Sequence, residues 1–369
     1  RAFYSSTRGK LNRAVENGAV GMIGFSTTLD LERAPWERSV RNRANSGMRW
    51  VGPDGSVGHA PAQIQVSVHL GPAGATKLFE GADHSEEEVR SAAAEGRLLS
   101  FEMNRSVHFQ KNVLQENVNS ANVLAVLEGS DPQLKNEYVL FSAHLDHMGV
   151  GAEIDGDDLY NGAYDNAAGV AVLLELARVF AGAAERPKRS LLFVAVTAEE
   201  KGLLGADYFA RNPTVPMDAV AANVNMDMPI FTFPMGGLVG FGAEHSSLEH
   251  NLKRAAEELG MVLEPDPFPE EVVFIRSDQF AFVQHGVPAV FLVPGHESSD
   301  PNIDGHAKWN EWLTTYYHKP TDDLSRAFIM ESAYRFTAAN YLIALDVANA
   351  DSRPTWNEGD FFGDKFARK

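Results

Sequence analysis

The stretch Tyr138–Gly169, YVLFSAHLDHMGVGAEIDGDDLYNGAYDNAAG, decides the fold of this chain. It opens on Val139, Leu140 and Phe141, an apolar run of the kind that forms a buried strand. The run stops at His144-Leu145-Asp146. Residues two apart on an extended backbone share a face, so the imidazole of His144 and the carboxylate of Asp146 are expected side by side. An acid beside an imidazole is the arrangement that orients a metal-bound histidine. A loop rich in Gly and Asp follows, then Asp165 directly before NAAGVAVLLELARVF, a helical pattern. Alone, Asp165 reads equally well as an N-cap.

Working outward, strands and helices alternate. Strands are expected at 138–143, 191–196, 219–226 and 288–293, with another inside Glu116–Gly129 leading in. Helices are expected at 166–181, 202–211, 245–259, 278–285 and near 327–349. This alternation predicts an α/β fold, a mostly parallel central sheet with helices on both faces. In such folds functional residues collect at the carboxyl ends of the strands.

Residues 1–110 differ in texture and predict a smaller mixed α/β domain ahead of a second domain at 111–369. Lys10–Ser26 reads as a helix, a turn at Gly18 and a strand, Ala62–Gly71 as a strand, and Ala75–Gly81 as a short helix. Ser85–Gly96 is a capped acidic helix, and the polar stretch Glu37–Gly58 a surface loop. His59, His69 and His84 lack an acidic partner at ligand spacing and read as structural or solvated.

Composition narrows the chemistry. The chain has 369 residues, 44% of them hydrophobic, enough for a large core. Its net charge of −18 comes without a basic stripe, which argues against nucleic-acid binding. Cysteine is absent, leaving His, Asp and Glu as the candidate metal ligands. No apolar run reaches membrane-spanning length; the segment Val170–Phe180 is broken by Glu175 and Arg178. Arg1 is not a natural initiator, so a removed targeting segment is expected upstream.

Three further sites stand at expected strand ends or loop tips. Glu199 and Glu200 follow the apolar run ending in TAEE. Two adjacent buried carboxylates repel by about 4 kcal/mol at ~4 Å and an effective dielectric of ~20. A cation relieves that cost; so does protonation of one group, or a turn toward solvent. Asp227 ends the run AANVNMDMP, where a lone acid usually serves a turn. Tyr317 and His318 share the loop TTYYHKPTDD with Asp322 and Asp323. Each site alone favours an ordinary structural role. Together they supply the imidazoles and carboxylates of a two-metal hydrolytic site.

The motifs SAHLDH, GAYDNAAG, TAEEKGLLG, NMDMP, RSDQFAF and YYHKPTDD occur in the order and spacing of metallopeptidase family 28, and the stretch from about Asn117 to Asn349 resembles that family of co-catalytic zinc exopeptidases. The resemblance implies two Zn²⁺ ions, one held by His144 and Asp227, the other by Glu200 and His318, with Asp165 bridging both. It implies Glu199 as general base, Asp146 as the partner of His144, Tyr317 as a hydrogen-bond donor to the oxyanion, and a cis peptide between Asp165 and Asn166. Arg276 stands where some members contact substrate, and Asp322 where an acid orients His318. His147, on the opposite strand face from His144, reads as an outer or structural residue. The implied function is an aminopeptidase acting on peptides with a free N-terminus, through a water bridging the two zincs. A carboxypeptidase or dipeptidase, and a non-catalytic receptor-like scaffold, are the alternatives. The first domain, through Lys10, Ala14 and GAVGMIGF, resembles the protease-associated domain, whose first strand is largely missing here. A secreted or periplasmic location follows from the family alone.

Overall fold

The computed structural model describes residue 3 and residues 6–33, 35–42, 46–58 and 63–367. His59 and the start of the expected strand at Ala62 lie outside these. The chain divides into two compact units, Arg1–Met48 with Val57–Val118, and Arg49–Ser56 with Asn119–Lys369.

The first unit contains helix α1 (Thr7–Glu16), strand β1 (Gly21–Phe25), helices α2 (Thr28–Arg33) and α3 (Trp36–Asn42), strand β2 (Val66–Leu70), and helices α4 (Pro72–Phe79) and α5 (Glu86–Ala94). Ser6 caps α1 by accepting the Gly9 N–H, and the helix ends before Gly18, whose φ of +79° suits glycine. Strands β1 and β2 pair in parallel. A capping box between Ser85 and Glu88 opens α5, whose first turn carries three glutamates favoured by the helix dipole. The unit's core is small: Ala75, Phe79 and Ala92, with Phe25 edge-on to Phe79. His69 bonds Ser26 and His84 lies 3.6 Å from Glu88.

The expected loop at Glu37–Gly58 needs correction. Its start is helical in α3, and Arg49–Ser56 is a tight turn, closed by Gly52 N–H to the Ser56 carbonyl, that belongs to the second unit. Trp50 fixes it there, donating its indole N–H to the buried Asp207 at 2.8 Å and standing edge-on to Tyr208. An aromatic with one polar handle anchors such a turn despite its polar neighbours.

The second unit contains strands β3 (Val123–Leu127), β4 (Tyr138–His144), β5 (Gly149–Ile154) and β6 (Asp157–Tyr160), helix α6 (Ala168–Gly182), strand β7 (Ser190–Val196), helix α7 (Leu204–Arg211), strands β8 (Val220–Met226) and β9 (Gly237–Phe241), helix α8 (Leu248–Glu258), strand β10 (Val262–Glu264), helix α9 (Gln279–Val283), strand β11 (Ala289–Pro294), and helices α10 (Gly305–Thr315), α11 (Met330–Asn349) and α12 (Phe361–Phe366). The seven-stranded sheet runs β10-β9-β11-β8-β4-β7-β3. Only β3 against β7 and β9 against β11 are antiparallel. Its central strands are buried and mostly apolar because both faces are covered, with Ser142, Asn223 and Asn225 as buried polar exceptions. Leu140, Leu192 and Val194 pack with Phe209 of α7 and Phe282 of α9. The alternate residue Phe141 turns the other way, against Phe193 and Phe180 of α6. Parallel β4, β7 and β8 therefore end together, carrying His144, Glu199 with Glu200, and Asp227 to one rim. No helix among the described residues is long and apolar enough to cross a membrane.

Candidate metal centre

His144 is the last residue of β4 and fully buried. Its Nδ1–H donates to the backbone carbonyl of Asp146 at 3.0 Å, which leaves Nε2 aimed at Asp227 Oδ1 (3.0 Å) and Asp165 Oδ1 (3.2 Å). The Asp146 carboxylate, expected to orient this ring, lies 3.9 Å away. It accepts instead the N–H groups of Glu199 (2.9 Å) and Glu200 (3.3 Å). The reason is local: β4 ends at His144, so the two-residue alternation no longer governs Asp146.

Asp165 sits in a π-helical turn before α6, and its peptide with Asn166 is cis, as expected. One oxygen faces His144 and the other lies 3.2 Å from His318 Nε2. Burial disfavours its charge, but hydrogen bonds with the two imidazoles hold the carboxyl well below the usual range. The turn is held from both sides. Asn166 donates to the Met226 carbonyl and accepts the N–H groups of Gly169 and Met228. Asp322, expected to orient His318, acts on this turn, accepting the N–H groups of Tyr164 (3.0 Å) and Asp165 (3.1 Å).

Glu200 Oε2 lies 3.4 Å from His318 Nε2. Its neighbour Glu199 lines the same cavity; burial, then the charges of Asp227, Asp278 and Glu200, hold its carboxyl well above the usual range against the pull of His144. Asp227 presents Oδ1 to His144 while Oδ2 accepts the Ser277 hydroxyl at 2.7 Å. Behind Ser277 runs a buried chain: Asn225 donates to Ser277 and Gln279 and accepts from Ser142. Ser277 is not among the residues expected at the site; its place inside RSDQFAF is the signal in the sequence that points to it. Tyr317 stacks on His318 at 3.8 Å, and burial keeps its phenol protonated far above ordinary pH. Arg276 is exposed and paired with Glu271 Oε2 at 3.1 Å.

These groups floor a cavity of about 550 Å³ whose apolar wall includes Val239, Phe241, Phe291, Val293 and Trp309. His144, Asp165 and Asp227 form one set of possible metal donors; His147, Asp165 and Glu200 form another. The donor edges of 3.0–3.4 Å match the roughly 3.3 Å expected between ligands 2.0–2.1 Å from a tetrahedral ion. Imidazole with carboxylate is a donor set that zinc accepts. Glu200 Oε1 is buried and faces His147 Nδ1 at 2.8 Å. The residues present fit a metal pair.

Fold and site thus define an α/β protein with His, Asp and Glu side chains that could hold a metal gathered at its strand ends. Comparison with known proteins makes this specific: the model of peptidase family M28 matches residues 122–343, and the chain belongs to that family. A "Probable zinc metalloprotease" of Pyrenophora teres f. teres is 40% identical over 111 residues, 30% of this chain and 23% of that protein. "Leupeptin-inactivating enzyme 1" of Streptomyces exfoliatus is 27% identical over 209 residues, 55% of this chain and 43% of that protein. The chain thus spans less than half the length of these curated relatives. The aminopeptidase from Aneurinibacillus sp. strain AM-1 shares the fold with TM-score 0.50 at 18% identity, over 96% of this chain and 70% of that structure.

Proposed function

We propose that the chain is a zinc-dependent aminopeptidase with two metal sites. The observation that carries the reading is Asp165, which turns one carboxylate oxygen to His144 and the other to His318. His144 and Asp227 would hold one Zn²⁺, Glu200 and His318 the other, with Asp165 shared. When bound, zinc lowers the pKa of water and polarises a carbonyl.

The chain's own residues supply the rest. Glu199, reaching the cavity and kept off both donor sets, takes a proton from the attacking water and returns it to the leaving amine. Its raised affinity for protons in the metal-free protein falls when cations sit beside it. The Tyr317 hydroxyl, held protonated, donates to the oxyanion of the tetrahedral intermediate. The carboxylates around the cavity favour a cationic α-amino group. Arg276, a cationic residue lining the cavity, is paired with Glu271. That pairing supports cleavage at the N-terminus over the C-terminus. Peptide substrates with a free N-terminus follow. The first unit is read as the protease-associated domain, and a secreted or periplasmic setting as the family's.

The test is Glu199→Gln, assayed for zinc content and for release of chromophore from an aminoacyl anilide. The expected result is two zincs retained and turnover lower by roughly 10²–10⁴-fold. Full activity of the variant refutes the base assignment. Release of C-terminal residues from an N-blocked peptide refutes the aminopeptidase reading.

A further inference from the structure

Sequence alternation sets His147 on the far side of the strand from His144. The structure brings it inside the metal centre. Since β4 ends at His144, the chain turns and carries the imidazole back toward Glu200. His147 Nδ1 lies 2.8 Å from Glu200 Oε1 and 4.0 Å from Asp165 Oδ2, with its side chain only 7% exposed. His147 Nδ1 and Glu200 Oε1 form a close ion pair, while the buried Nε2 has no hydrogen-bond partner. A buried polar atom without a partner costs about 1–3 kcal/mol unless something else joins it, and His147, Asp165 and Glu200 each bring one donor atom within reach of a single ion. A cation between the three supplies that partner.

The packing around the ring supports a fixed role. Gly162, at φ +69°, lies against it: a Cβ there would stand 2.6 Å from His147 Cγ and 2.4 Å from the Asp165 carbonyl oxygen. Glycine at 162 therefore lets the Asp165 turn and the His147 ring approach each other. The ring stands edge-on to His318, with centroids 5.9 Å apart, so two imidazoles flank the carboxylates of Asp165 and Glu200. The His147 edges of 2.8 and 4.0 Å bracket the tetrahedral spacing of about 3.3 Å.

We propose that His147 is a protein ligand of the metal held by Asp165, Glu200 and His318. The inference rests on the two-metal reading above. It makes the pair unequal. One ion has four protein donors; the other, at His144, Asp165 and Asp227, has three and keeps a position open for water or substrate.

The experiment is X-ray absorption at the zinc edge on protein loaded with two equivalents, with chelator competition on wild type and His147→Ala. The expected imidazole count for wild type is three shared by two ions, falling to two in the variant. The weaker-held equivalent in the variant loses more than about 100-fold in affinity, beyond the 10–100-fold that an outer partner of a ligand costs. A wild-type count of two imidazoles, which needs no variant, overturns the proposal. So does a variant loss below about 100-fold. Wild-type protein binding fewer than two zincs is a separate result: it overturns the two-metal reading and this inference with it.

Discussion

Ser277→Ala probes the buried chain beneath the metal centre. The Ser277 hydroxyl donates to Asp227 Oδ2 at 2.7 Å, and both side chains are buried. A buried hydrogen bond to a charged group contributes about 1.5–3 kcal/mol. Asn225, the next residue in the chain, loses one acceptor but keeps Gln279 Oε1 at 2.9 Å, so the damage stays local. Ser277 also decides which Asp227 oxygen faces His144. The loss is therefore expected in metal affinity as much as in folding. At about 1.4 kcal/mol per factor of ten, zinc binding should weaken roughly 10–100-fold. Chelator competition measures this, and circular dichroism verifies that the variant is folded. A folded variant that binds zinc within twofold of wild type would refute the reasoning.

Arg189→Met should lower stability by about 3–5 kcal/mol in urea denaturation, because the fully buried guanidinium holds Glu137 at 2.7 Å and the Val347 and Ala350 carbonyls at the end of α11. A loss below about 1 kcal/mol would show that Arg353, 2.9 Å from Glu137, carries the pair alone. Asp278 is fully buried with neither carboxylate oxygen hydrogen-bonded; burial, then the charges of Asp227 and Asp146, push it up to about 8 against the pull of His144. A carboxyl raised on folding binds its proton more tightly in the native state, so stability falls as pH rises from about 4 toward 8. The melting temperature of metal-free protein should therefore decline over that range, and Asp278→Asn should flatten the decline; parallel curves would contradict this.

Much of the site was legible because its residues follow long apolar runs. The seven-residue run SLLFVAV, short and rich in valine and phenylalanine, reads as a buried strand, which puts Glu199 and Glu200 at a strand end. The same held for Asp227 after β8. What failed was reasoning past the last strand residue. The period of two placed Asp146 beside the His144 ring and His147 away from it, whereas the backbone had already turned. Asp322 was assigned to His318, its neighbour in sequence, but serves Asp165, far off in the chain. Strands β9 and β10 are not expected from the sequence: GLVGF is interrupted by two glycines, and VLE is only three residues long. Without β9, nothing in the sequence marks Val239 and Phe241 as cavity wall.

The turn Arg49–Ser56 has a bearing on dissection of the gene. Because it groups with the second unit, the backbone passes between the units at 48/49, 56/57 and 118/119. Truncation at 118 would remove the Trp50 indole N–H from Asp207. A fragment of the second unit keeps that contact only if the eight residues 49–56 are supplied in trans or joined to it by circular permutation.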